Sequence, residues 1–146
     1  RKEFLADIAM SLGGYVAEEM IFGDITTGPS NDLQVATNLA RAMVTRWGMS
    51  DTIGPIALES DGGKTMFGRG VDDHEYSERV SGLIDEEVSK IMNNAFAVAR
   101  RVLTEKREVL DAISRKLIEV ETLEQDEYNN IIKSFGIEPK TNPISV

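Results

Sequence analysis

The sequence contains no cysteine, and its one histidine is His74. The first absence excludes disulfides, thiolate nucleophiles, iron–sulfur clusters and cysteine-ligated zinc. The second excludes a metal site built on two imidazoles within one copy of the chain, and any Ser–His–Asp triad that does not use His74. Aromatic residues make up 6% of the chain. No apolar run approaches the ~20 residues of a membrane-spanning helix, because Asp, Glu, Lys or Arg interrupts every candidate. Positive charge is scarce too: 16 Lys and Arg stand against 25 Asp and Glu, for a formal net charge of −9. That balance argues against a nucleic-acid partner, which needs clustered cations, and against an anionic membrane surface.

What is present is 146 residues, room for one domain that buries roughly two-thirds of its unfolded surface without staples. The spacing predicts a mainly α domain, a helical bundle with one small irregular β-hairpin. In residues 2–22, Phe4, Ile8, Leu12, Tyr15 and Val16 recur at three- and four-residue steps on one stripe of a helix. Gly13-Gly14 inside it implies either close approach of another backbone or a kink. Gly23 is placed to end this helix, and Gly-Asp-Ile-Thr-Thr-Gly-Pro-Ser (23–30) is turn chemistry. A second helix, capped by Ser30 or Asn31, carries Leu33, Ala36, Ala40, Met43, Val44 and Trp47 and stops at Gly48.

Residues 49–70 change character. Ile56-Ala57-Leu58 and Thr65-Met66-Phe67 flank Asp-Gly-Gly-Lys as the arms of the expected hairpin. Ser77 caps a long helix with Val80, Ile84, Val88, Ile91, Ala95, Val98 and Val102. A break near 104–107 leads into another with Val109, Leu110, Ile113, Leu117 and Val120. Thr122-Leu-Glu-Gln125 matches a capping box before a short helix ending at Phe135-Gly136. The domain is thus expected over residues 1–136, with 137–146 a flexible tail. Because the helical pattern is already running at Arg1, the chain is expected to be a piece of a longer one.

Few residues offer chemistry. Glu18 and Glu19 lie near the end of the first helix, about 100° apart around it, so they cannot share one face. Asp24 and Asp32 frame the loop that follows. Asp32 falls in the first turn of its helix, where the dipole and outward N–H groups hold a carboxylate ionised and oriented. Such a group serves as a hard-metal ligand or orients a base, and it equally serves simply to stabilise a helix start. His74, in Asp-Asp-His-Glu-Tyr, offers a weak metal cluster or a solvated loop. Gly63-Lys64-Thr65 ends like a phosphate loop but lacks the glycine five residues earlier, so it reads as a turn. Trp47, Met43 and Met49 line a pocket or fill a core.

Three blocks change this reading: Leu12-Gly-Gly-Tyr-Val-Ala-Glu-Glu-Met-Ile-Phe-Gly23, Thr26-Thr-Gly-Pro-Ser-Asn-Asp32 and Ala36-Thr-Asn-Leu-Ala-Arg-Ala-Met-Val-Thr-Arg-Trp-Gly-Met49. In order and spacing, and with Ile84-Asp-Glu-Glu-Val88 further on, they resemble the FtsH family over roughly residues 1–135. These are membrane-anchored, ATP-dependent AAA+ zinc metalloproteases, and the match covers the C-terminal part of their peptidase domain. The resemblance implies that Asp32 is the third protein ligand to zinc (Zn), shared with two upstream histidines of a His-Glu-x-x-His helix that is not in this chain. It implies a supporting role for Glu18, bonding a ligand imidazole. Pro29 stands where the family usually has a small residue, which is expected to stiffen the loop.

By the same resemblance the intact protein is a homohexamer that uses ATP and Mg at an ATPase domain not in this chain to unfold and degrade protein substrates. Its membrane attachment runs through segments not in this chain. The peptidase domain is expected on the cytoplasmic side of a bacterial membrane, or of an organellar one. With neither zinc histidine nor the catalytic glutamate, the chain alone is expected to be inactive, and a monomer or weak oligomer. The alternative is a non-catalytic helical oligomerisation module of a degenerate peptidase.

Overall fold

The computed structural model describes residues 1–59 and 77–139, and helices account for its regular structure. They are α1 (Lys2–Ser11), α2 (Gly13–Phe22), α3 (Ser30–Thr45), α4 (Glu78–Glu105), α5 (Arg107–Val120) and α6 (Gln125–Ser134). The chain divides into two compact units, Arg1–Arg101 and Val102–Val146.

In the first unit the expected stripe forms the core. Ile8 and Val16 are fully buried, as are Ala36 and Ala40 of α3 and Ile84 of α4, with Leu12, Met43 and Val44 close behind. α1 packs along α3, and small buried residues such as Ala36 and Ala40 are of the kind that lets helices pack closely. Phe4 stacks on Trp47 with ring centroids 4.8 Å apart. Met43 therefore belongs to the core, while Trp47 covers its end and stays 45% exposed.

Several expected boundaries move. The helix expected over 2–22 is two helices bent at Leu12, which sits at φ −78°, ψ −6°. Among the described residues a Cβ on Gly13 or Gly14 would find nothing within 4 Å, so the glycines accompany the bend and no described backbone approaches them. Gly23 closes α2 at φ +67°, its N–H donating to the Glu19 carbonyl. Neither Ser30 nor Asn31 caps α3: the cap position is Pro29, buried and without a side-chain cap bond, its ring presetting a helix-compatible φ. α3 stops at Thr45, short of Gly48. Gly48 instead turns the chain at φ +58°, with the Pro55–Ile56 backbone 3.1 Å from where a Cβ would be.

Among the described residues there is no strand. Residues 56–58, the expected first arm of a hairpin, run irregularly along the end of α3, where the N–H groups of Leu58 and Glu59 both donate to the Thr45 carbonyl at 2.7 and 3.0 Å. The other expected arm, Thr65-Met66-Phe67, lies outside the described residues, as do His74, the Gly62 to Gly70 turn and the last seven residues of the tail. Ser77 caps α4 as expected, its Oγ accepting from the Val80 N–H at 3.4 Å.

In the second unit α5 packs against α6, burying Val109 and Ile132. The expected capping box at Thr122 is not made. Glu124, extended at φ −71°, ψ 155°, precedes α6 with no side-chain cap bond. The Thr122 N–H instead turns back to the Val120 carbonyl at 2.7 Å, after Glu121 has taken φ +61°.

Candidate functional site

α2 and α3 meet through the loop from Gly23 to Pro29, and the acidic residues singled out from the sequence lie along it. Asp32 is exposed in the first turn of α3. Among the described residues no hydrogen bond or ion pair engages its carboxylate, so its oxygens are open to a ligand, in the field of the helix N-terminus.

Glu18, half-buried in α2, faces the loop. Its Oε1 accepts the Thr26 hydroxyl at 2.9 Å and its Oε2 accepts the Thr26 N–H at 3.1 Å. The Thr26 Oγ1 in turn accepts the Gly28 N–H at 3.0 Å. Glu19 points elsewhere, as adjacency on a helix requires, and pairs with Arg100 of α4 at 3.3 Å. Arg100 also lies 5.8 Å from the centre of the Phe96 ring. Asp24 accepts the N–H of its neighbour Ile25 at 2.8 Å.

The structure thus has Glu18 and Asp32 at the two ends of one loop, with Asp24 within it bonded to its own neighbour and Glu19 paired with α4. Among the described residues no three of His, Cys, Asp and Glu are grouped to hold a metal. The donor chemistry of Asp32 fits zinc as one carboxylate of a larger set, and the remaining donors have to come from outside the described residues. The contact between Thr26 and Glu18 was missed from the sequence. The signal was faint: a hydroxyl within the turn that follows two helical glutamates.

A second polar cluster also escaped the sequence. Glu87 of α4 is 8% exposed and accepts from Ser50 Oγ at 2.7 Å, Thr52 Oγ1 at 2.8 Å and Lys90 Nζ at 3.3 Å. The hydroxyl donors Ser50 and Thr52 hold its carboxyl below the ordinary range against the opposing effect of burial, with Lys90 adding to the same direction. A separate set of contacts surrounds Glu59 near the end of α3. It accepts from Thr45 Oγ1 at 3.0 Å and lies within 3.7 Å of the guanidinium groups of Arg41 and Arg46. Both clusters tie the chain after α3 to a helix and carry no free donor set for a ligand.

The unit thus presents one exposed carboxylate, Asp32, at the start of α3 and a second, Glu18, bonded to the loop that leads to it. The profile of peptidase family M41 matches residues 1–131, and the chain belongs to that family. It is similar to the ATP-dependent zinc metalloprotease FtsH 3 of Synechocystis sp., 44% identical over 128 residues, which is 86% of this chain and 21% of that protein. It is similar also to the ATP-dependent zinc metalloprotease FtsH of Bacillus subtilis, 40% identical over 144 residues (97% of this chain, 22% of the relative). FtsH of Acholeplasma laidlawii is 46% identical over 132 residues, 90% of this chain and 20% of the relative. The chain spans about a fifth of the length of the curated relatives it matches. No helix among the described residues is long and apolar enough to cross a membrane.

Proposed function

We propose that this chain is the downstream part of the peptidase domain of an ATP-dependent zinc metalloendopeptidase and supplies Asp32 as the third protein ligand to zinc. The observation that carries the reading is the unengaged Asp32 carboxylate at the start of α3, inside the stretch that matches the peptidase family. Two histidines and a glutamate base would come from a segment outside this sequence. Zinc, when bound, polarises a peptide carbonyl and acidifies a water. Asp32 stands as an oxygen donor in the field of the helix N-terminus. Glu18 retains lone pairs beyond those used by Thr26, which suits it to orient a ligand imidazole through the ring nitrogen not on the metal.

The whole protein, on this reading, is a membrane-anchored homohexamer with the peptidase domain on the cytoplasmic side, using ATP and Mg elsewhere in its chain to unfold protein substrates. The 146 residues alone are inactive, since one carboxylate of three protein ligands is insufficient. The test is zinc stoichiometry after dialysis, on this chain and on the intact protein, with Asp32→Asn in the latter. One zinc per intact chain, lost together with peptide hydrolysis in Asp32→Asn, is the expected result. An intact protein that binds no zinc overturns the reading in favour of a helical assembly module.

A further inference from the structure

The loop that carries the chain from α2 to Asp32 is exposed along nearly its whole length: residues 21–28 and 30–35 are all solvent-accessible, and Pro29 alone is buried. An exposed loop offers poor precision for a metal ligand, which has to be held within about 0.5 Å of its working position. Yet this loop is tied down by a continuous chain of bonds. Glu18 in α2 takes both polar groups of Thr26, the hydroxyl on Oε1 at 2.9 Å and the N–H on Oε2 at 3.1 Å. The same hydroxyl oxygen receives the Gly28 N–H at 3.0 Å. The Thr27 carbonyl then receives the Ser30 N–H at 3.2 Å, and the Pro29 carbonyl receives the Leu33 N–H at 3.0 Å, closing the first turn of α3 around Asp32.

Gly28 is packed into this clamp. A Cβ there would stand 3.2 Å from both Glu18 Oε1 and Thr26 Oγ1, so a larger residue fits only if those two side chains give way by a few tenths of an ångström.

We infer that Thr26 is a positioning residue: clamped by Glu18 and bonded to Gly28, it sets where α3 begins and so where the Asp32 carboxylate stands relative to α2. The inference rests on the reading of Asp32 as a zinc ligand and assigns Glu18 a task in addition to any contact with an imidazole. Thr26 is assigned no contact with metal or substrate. It acts through the backbone from residue 26 to residue 32. A charge-assisted pair of bonds from one carboxylate to one residue is stronger and better directed than bonds between neutral groups, which is why a single threonine suffices to hold an otherwise open loop.

The experiment uses the intact, zinc-loaded protein with Thr26→Val, Thr26→Ser, Gly28→Ala and Asp32→Asn. Zinc affinity is read by competition with a chelator, ligand geometry by the visible spectrum of the cobalt-substituted protein, and loop order by hydrogen exchange across residues 23–30. Thr26→Val, which keeps the shape and loses the hydroxyl, is expected to weaken zinc by about 10- to 100-fold. It should also change the cobalt bands and speed exchange in the loop while the helices exchange as before. Thr26→Ser restores all three readings, and Gly28→Ala reproduces the loss by crowding the clamp. If Asp32→Asn releases zinc while Thr26→Val and Gly28→Ala bind it as the parent does, the clamp is overturned and Asp32 stands as a ligand. If Asp32→Asn itself retains zinc at the parent's affinity, the ligand reading falls and the clamp inference falls with it.

Discussion

Glu87 and Ser50, 37 residues apart in sequence, share a 2.7 Å hydrogen bond in the interior of the first unit, and it fastens the chain that leaves α3 to the face of α4. Thr52 and Lys90 complete the set on the other carboxylate oxygen. Removing the acid leaves the hydroxyl proton of Ser50, a residue 4% exposed, without its acceptor, although the Oγ still accepts from the Thr52 and Ile53 N–H groups. Glu87→Ala is therefore expected to cost about 2–3 kcal/mol and Ser50→Ala about 1–2 kcal/mol, with the double variant losing less than their sum. Urea unfolding followed by the fluorescence of Trp47 measures this directly. Additive losses would show that the two residues do not act as a pair.

The same cluster makes stability depend on pH. Glu87 has its carboxyl lowered from 4.5 by the Ser50 and Thr52 hydroxyls, and further by Lys90. A group with a depressed folded-state value stabilises fully above its unfolded value, and that contribution is lost as pH falls through the folded one. Below pH 4.5 the parent should thus lose stability more steeply than Glu87→Gln, which carries no titrating group there. Melting temperatures at a series of acid pH values give the comparison, and parallel curves would remove Glu87 from the account.

Two glycines should respond in opposite directions. Gly14 lies in a helix with open space around its Cβ position, so Gly14→Ala is expected to stabilise by about 0.5–1 kcal/mol through helix propensity and reduced unfolded-state entropy. Gly48 adopts φ +58° with backbone 3.1 Å from the same position. Gly48→Ala combines left-handed strain with that crowding and is expected to cost about 1–3 kcal/mol. Denaturant midpoints of the two variants decide, and matching signs would contradict the structural distinction.

Thr122 has the position of a capping residue in the sequence and not in the structure. Thr122→Ala is expected to change stability by less than about 0.5 kcal/mol, whereas loss of a working cap costs about 1 kcal/mol. A loss of that size in thermal unfolding would mean that the hydroxyl bonds the start of α6 after all.

Much of this was legible in the sequence because helices advertise themselves through local spacing. The stripe Ile8, Leu12, Val16 and the small-residue face Ala36, Ala40 turned out to be the core, since a helix has one way to hide such a stripe. Gly23 and Gly136 ended their helices at positive φ, as a residue without Cβ does at low cost. Helix starts were read less well. Ser30 and Thr122 carry capping side chains that went unused, because cap geometry depends on the path of the incoming chain, which Pro29 and Glu121 redirect.

Sequence by itself determined the helical class, the acidic surface, the exclusion of cysteine chemistry, and Asp32 in the first turn of a helix. Each of these follows from residue identity or from spacing within a single element. Only the tertiary structure decided that Glu18 grips Thr26 and that Glu87 lies under Ser50 and Thr52. Those pairs join residues whose sequence separation obeys no helical or strand period, and hydrogen-bond partners of that kind are chosen by how the elements pack.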